Sequence, residues 1–107
     1  MNIERQVDKS IDKIVDALCL DYERRERAIC EKSVGRRTET EYRYLNFHIL
    51  EAAEEVVGER FAKTYIYEIG KGIGYAKTDI DCVSEVTYKS YKRLIRNAIA
   101  KSLHLID

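Results

Sequence analysis

The clearest helical pattern in the chain lies between Ser84 and Leu103, where the sequence is SEVTYKSYKRLIRNAIAKSL. At about 100° per residue, its apolar side chains fall on one face of a helix. These side chains are Tyr88, Tyr91, Ile95, Ala98, Ile99 and Leu103. Ser84 suits the N-cap position, because its hydroxyl oxygen can accept a hydrogen bond from a free N–H of the first turn. The stretch therefore predicts a helix that buries one face against the rest of the domain.

The same stretch is basic, although the chain as a whole has a formal net charge of zero. It contains five basic residues, Lys101 among them, and only one acidic residue, Glu85. Lys89, Arg93 and Arg96 fall along one flank of the apolar stripe, and Lys92 lies at its edge. Such a flank can offer cations to DNA phosphates and base edges, and Thr87 and Ser90 can add short polar contacts. The alternative is a solvated charged face, which many surface helices carry.

Amphipathic helical patterns also fill the residues before this stretch. A near-heptad stripe predicts one long N-terminal helix over residues 1–33. Its members are Ile3, Val7, Ile11, Ile14, Leu18 and Tyr22. Thr38 and Glu41 fit a capping box, which places the start of a second helix at Thr38 and its stop at Gly58. A third helix begins near Phe61 and runs into the glycines of residues 70–74.

The composition agrees with a helical fold. The 107 residues contain no Pro and only five Gly, so the residues that interrupt helices are nearly missing. A hydrophobic content of 45% suits one core in a chain of this length. We therefore predict an all-α, single-domain bundle of four to five helices, in which residues 59–103 form a helix-turn-helix-like unit.

The cysteines and the apolar runs bear on where the chain resides. Cys19, Cys30 and Cys82 are odd in number and widely spaced, which favours reduced thiols over a disulfide framework. No apolar run approaches the roughly 18 residues that a membrane span needs, and Met1 does not lead into a signal peptide. These observations predict a cytoplasmic protein without a membrane partner.

Several kinds of chemistry lack their sequence signals. His48 and His104 are the only histidines, and no metal-ligand spacing accompanies them. The glycines of residues 70–74 lack the strand and the spacing of a nucleotide-binding loop, and they more simply permit positive φ and close helix approach. We therefore expect no enzyme activity, no metal, no cofactor and no small-molecule substrate.

Several short motifs resemble a known group of regulators. TYKSYKR at residues 87–93, RNA at 96–98 and AKSL at 100–103 look like the recognition helix of sigma-factor region 4 and of phage late-gene activators of the ArpU and RinA type. IGKGIGY at 69–75 and EYRYLN at 41–46 are similar to the segments that precede that helix in the same group. The resemblance covers roughly residues 41–107. It implies a phage- or mobile-element-type DNA-binding regulator whose contacts are Thr87, Lys89, Ser90, Lys92, Arg93 and Arg96.

Two questions stay open at this stage. The stretch from Tyr75 to Ser84 is longer than the usual turn of a helix-turn-helix, so either an extra turn of helix fills it or the unit is not a standard one. The competing hypothesis is a small helical protein-interaction module, such as a phage accessory factor, adaptor or inhibitor, without nucleic-acid binding. For the DNA-binding hypothesis we expect a dimer that pairs through the N-terminal helix.

Overall fold

The computed structural model describes residues 9–106, and this part of the chain is all-helical, as predicted. Five α-helices follow one another: α1 (Lys9–Leu20), α2 (Tyr22–Glu31), α3 (Arg36–Val57), α4 (Glu59–Lys71) and α5 (Glu85–Ser102). A short 3-10 helix, Tyr75–Lys77, lies between α4 and α5. The prediction for residues 1–8 lies outside the described residues.

The long helix α3 is the centre of the bundle. It packs against α2, α4 and α5, while α1 packs against α4 and α5. The buried core joins all five helices through side chains that include Val15, Tyr22, Ile49, Ile66, Ile69, Tyr88, Ile95 and Ile99. The apolar stripe predicted for the last helix is confirmed, because Tyr88, Ile95 and Ile99 are buried and its other members are at least half-buried.

The prediction of one uninterrupted N-terminal helix up to residue 33 is wrong at Asp21, which separates α1 from α2. Arg25, which is almost fully buried, donates from Nη2 to the carbonyl oxygen of Leu18 (2.6 Å) and from Nε to Asn46 Oδ1 (2.7 Å). Asn46 in turn donates to the carbonyl oxygen of Tyr22 (3.1 Å). This buried polar network ties the interruption to α3, and burial lowers the pKa of Arg25. The residues of this network lie too far apart in the sequence for helical periodicity to predict the network.

The start of α3 also differs from the prediction. We expected Thr38 to cap the helix, but the helix begins at Arg36 with Gly35 as its N-cap residue. The backbone N–H of Glu39 donates to the carbonyl oxygen of Gly35 (2.9 Å), so the first turn forms ahead of Thr38. The predicted stop at Gly58 is confirmed, with φ +85° at that residue.

The glycines at the end of α4, Gly70 within the helix and Gly72 just after it, serve the two purposes expected of them. Gly72 ends the helix in the left-handed region with φ +70°. Gly70 lies so close to α1 that a Cβ atom there would be 2.5 Å from the backbone N of Leu20 and 2.6 Å from its Cα. The crossing of α1 and α4 therefore requires a residue without a side chain at position 70.

The three free thiols differ in accessibility, which gives a first prediction. Cys19 is buried in the core, and burial, followed by the charge of Asp16, raises the pKa of its thiol to about 12. Cys30 and Cys82 are exposed. Because the thiolate is the reactive species, iodoacetamide at pH 8 should modify two cysteines in the folded chain and all three in denaturant, as read by intact mass. A chain carrying Cys30→Ser and Cys82→Ser should remain unmodified while folded, and rapid modification of that variant would contradict the burial of Cys19.

Candidate nucleic-acid interface

Helix α5 begins where the sequence predicted. The Ser84 hydroxyl oxygen accepts a hydrogen bond from the backbone N–H of Thr87 (3.2 Å) and lies 3.0 Å from the Thr87 hydroxyl. This cap fixes the first turn, which is the part of a groove-reading helix that meets base edges. Thr87 itself is half-buried and lines a shallow pocket with Val56, Val57 and Tyr91. It therefore faces α3 and does not point outward.

A buried carboxyl group holds the connection between α4 and α5 in place. Glu68 is 1% exposed and accepts hydrogen bonds from the Thr78 hydroxyl (2.5 Å), the Asp79 backbone N–H (2.8 Å) and the Tyr88 hydroxyl (2.7 Å). These contacts join the end of α4, the connection and the first half of α5. The 3-10 helix Tyr75–Lys77 is the extra helical turn that was one of the two alternatives for this stretch. The result is a longer connection than a standard helix-turn-helix has.

Two of the predicted contact residues are engaged inside the protein. Arg96 donates from Nε to Asp16 Oδ1 (2.7 Å), which links α5 to α1. Lys92 donates from Nζ to the carbonyl oxygen of Ile73 (2.7 Å). Desolvation, followed by the nearby Arg96 charge, lowers the pKa of Lys92. Lys92 and Arg96 therefore hold α5 against neighbouring parts of the chain, and neither side chain is placed to contact a phosphate group.

The remaining candidates lie on the outer face of α5. Lys89 and Arg93 are exposed and Ser90 is half-buried. Lys89 makes an ion pair with Glu85 (2.9 Å), but both side chains are more than half exposed, so water and salt weaken the pair. Lys89 therefore remains available to a stronger anion such as a phosphate group.

Sequence reasoning left three residues of this outer face out of the site. Val86, Asn97 and Lys101 are exposed on the same side of α5 as Ser90 and Arg93, and Val86 is 79% exposed. The residues from Val86 to Ile106 include no Asp or Glu. The signal for these positions was present in the helical spacing, since they lie opposite the buried stripe. With Leu94, which is 45% exposed at its edge, the outer face presents two apolar groups, short polar groups and three cations, and the one neighbouring carboxylate is that of Glu85, which pairs with Lys89.

Helix α2 also carries several basic residues, and two of them are held by intramolecular contacts. Arg24 binds both carboxylate oxygens of Asp21 (2.6 and 2.7 Å), and this bonding lowers the pKa of Asp21. Arg25 is buried in the network already described. Arg27 lines an open cleft of about 600 Å³ between α2 and α4, together with Glu23, Lys63 and Tyr67. Charges of both signs line this cleft, so it does not form a continuous basic surface.

The described residues were also compared with the requirements of a metal site and of a membrane span. Among residues 9–106, no group of three or more His, Cys, Asp or Glu side chains is placed to hold a metal ion. None of the helices in this range is both long and apolar enough to cross a bilayer. The fold and the site together define a compact all-helical protein with a basic, outward-facing final helix. Comparison with protein-family models, curated proteins and solved structures finds no match for the chain.

Proposed function

We propose that this chain is a cytoplasmic DNA-binding protein of the transcription-regulator type, and that the outer face of α5 lies in the major groove. The observation that carries the proposal is the absence of any Asp or Glu from Val86 to Ile106, where three exposed basic residues, Lys89, Arg93 and Lys101, lie on one side of α5 in a chain with no net charge. Attraction to phosphates is the main source of non-specific DNA affinity. A local concentration of cations can therefore attract DNA phosphates although the whole molecule is neutral.

Geometry and chemistry of α5 support the same proposal. Its inner face is fixed by the core, and its start is fixed by the Ser84 cap. The first turns present Val86, Lys89, Ser90 and Arg93 outward, followed by Asn97. Asn and Arg are side chains that make two-point contacts with adenine and guanine, and an apolar group can contact the thymine methyl. Resemblance of residues 87–103 to the recognition helix of sigma-like phage activators agrees with this assignment.

The test compares two sets of three substitutions. Changing Lys89, Arg93 and Lys101 to Ala should weaken binding to a mixed-sequence duplex by about a hundredfold at low salt and reduce the slope of log affinity against log salt by about three. A control chain with Lys13, Arg27 and Lys63 changed to Ala loses the same charge from exposed positions on α1, α2 and α4. This control should bind almost as the parent chain does. Fluorescence anisotropy at several salt concentrations gives both quantities.

Two outcomes would reject the proposal. If the parent chain fails to bind mixed duplex DNA even at low salt, the protein belongs to the competing class of helical protein-interaction modules. If the two sets of substitutions weaken binding equally, α5 is not the contact surface. Arg96 is left unchanged in both sets because its pair with Asp16 joins α5 to α1, so its loss would mix a folding effect with a binding effect.

A further inference from the structure

The outward side of α3 carries charge of opposite sign at its two ends. Exposed arginines occupy the first third of the helix, at Arg36, Arg37 and Arg43. Exposed carboxylates occupy its last third, at Glu51 and Glu55, with the half-buried Glu54 beside them. At 100° per residue all of these positions lie on the side opposite the buried Ile49. The first third also contains the carboxylates of Glu39 and Glu41, so α3 runs from a mixed end with a small net positive charge to an acidic end.

Between the two charged ends lies an exposed aromatic cluster. Tyr44 and Phe47 are 50% and 60% exposed, and they are two of the eight large hydrophobic residues that are exposed in the described part of the chain. Their rings contact the ring of His48 at centroid distances of 4.4 and 5.2 Å. The His48 Nδ1 atom lies 3.2 Å from the Ser102 hydroxyl oxygen, which connects the cluster to the end of α5. A rigid, exposed pair of aromatic rings is the kind of anchor that dominates the energetics of protein interfaces.

The charge order on α3 does not stabilise the helix itself. A helix has a partial positive charge at its N-terminus and a partial negative charge at its C-terminus, so basic first turns and acidic last turns are unfavourable. Arg36 and Arg37 lie in the first turn, and Glu54 and Glu55 lie in the last turn. Among residues 9–106, no ion pair engages Arg36, Arg37, Glu51 or Glu55. Arg43 forms an ion pair with Glu39, but the Arg43 side chain is 62% exposed. These charges are thus available to an external partner.

We propose that the outward face of α3 binds a second copy of this chain as an antiparallel, two-fold symmetric dimer. A two-fold axis near Phe47 brings the aromatic clusters of the two copies together. Arg43 and Glu51 each lie four residues from Phe47, so the arginine of one copy meets the carboxylate of the other. Arg36 and Arg37 lie eleven and ten residues from Phe47, and Glu54 and Glu55 lie seven and eight, so these outer charges approach with an offset of two to four residues along the two helices. Each helix N-terminus lies towards the C-terminus of its partner. The unfavourable charge order within one α3 becomes complementary between two.

The dimer surface proposed here differs from the one that the sequence suggested. The N-terminal helix is interrupted at Asp21. Of the described members of its predicted stripe, Tyr22 is buried and Ile11 and Leu18 are half-buried within the same chain, whereas Ile14 is 44% exposed. Helix α3 combines exposed aromatic rings with self-complementary charge over 22 residues. This proposal is independent of DNA binding, since it concerns another surface and needs no nucleic acid.

The first measurement is the molecular mass in solution. Sedimentation equilibrium should give twice the chain mass of 12.5 kDa at about 100 µM and moderate salt. Phe47→Glu should raise the dissociation constant of the dimer at least about a hundredfold, because it places two like charges at the symmetry axis. Circular dichroism establishes that the variant is folded. A parent chain that remains monomeric at this concentration would overturn the proposal.

Charge exchange supplies a test that does not depend on Phe47. One chain carries Arg37→Glu and Arg43→Glu, and the other carries Glu51→Lys and Glu55→Lys, so that the pair of Arg43 with Glu51 is reversed on both sides. Each variant alone should be monomeric, because like charges then meet at both ends, and the equimolar mixture should form a heterodimer. Controls with the same charge changes on other helices, Arg27→Glu with Lys63→Glu and Glu23→Lys with Glu31→Lys, should stay homodimeric. If the exchange variants dimerise alone, or if their mixture stays monomeric, the antiparallel arrangement is wrong.

Discussion

Gly70→Ala should lower the free energy of unfolding by about 3 kcal/mol, because the added methyl group meets backbone atoms and not a movable side chain. The new Cβ atom would lie 2.5–2.8 Å from the backbone of Cys19 and Leu20. Relief of this contact requires α4 to move away from α1, which opens the packing around the buried Ile66 and Ile69. Urea denaturation followed by circular dichroism measures the change.

Gly74→Ala is the matched control for that substitution. No heavy atom lies within 4 Å of a Cβ at Gly74, and its backbone is extended with φ −90° and ψ 175°. Alanine adopts this conformation without strain, so we expect a change within about 0.5 kcal/mol. If both variants had the same stability, the close crossing of α1 and α4 would not exist in solution.

Local features of the chain were predictable, and features that depend on distant residues were not. The buried stripe of α5 and its Ser84 cap follow from spacing and capping chemistry within a few residues. By contrast, Arg96 and its partner Asp16 are 80 residues apart. The sequence pattern placed Arg96 correctly beside the buried stripe, but it contained no information on which helix would lie against it. The candidate site therefore remains on α5 as a prediction, but three of its six residues, Thr87, Lys92 and Arg96, face or contact other parts of the chain.

The interruption at Asp21 is a second feature that depends on distant residues. The stripe through Tyr22 continues with helical spacing across Asp21, so periodicity alone predicts one helix. Spacing does not distinguish Arg25 from the neighbouring arginines of α2, yet Arg25 is 2% exposed. Its burial depends on Asn46, which is 21 residues away on another helix. A charged residue with buried partners of this kind cannot be recognised from a single sequence.

Glu68 is the second position at which we expect a large effect. Its carboxyl oxygens accept three hydrogen bonds. Two of the donors are hydroxyl groups that can rotate to another acceptor, but the third is the backbone N–H of Asp79, which cannot. Glu68→Ala removes the acceptor for all three and leaves a cavity beside the buried Tyr88. The cavity left by the buried side chain, together with the lost hydrogen bond of the part-buried Asp79 N–H, should lower the free energy of unfolding by about 4 kcal/mol. Amide exchange at Asp79 should rise along with this loss.

Glu68→Gln separates the hydrogen bonds from the packing. The amide oxygen can accept from the Asp79 N–H, while the amide NH2 turns towards the Thr78 and Tyr88 hydroxyls, which can accept as well as donate. The Tyr88 hydroxyl can then donate to the carbonyl oxygen of Ile73, which lies 3.0 Å away. We therefore expect a loss of about 1 kcal/mol, much smaller than for Ala. Glu31→Ala, at an exposed position of α2, should change little. Equal losses for Gln and Ala would mean that the buried site requires a carboxyl group and not merely an acceptor for Asp79, and the connection would then depend on charge.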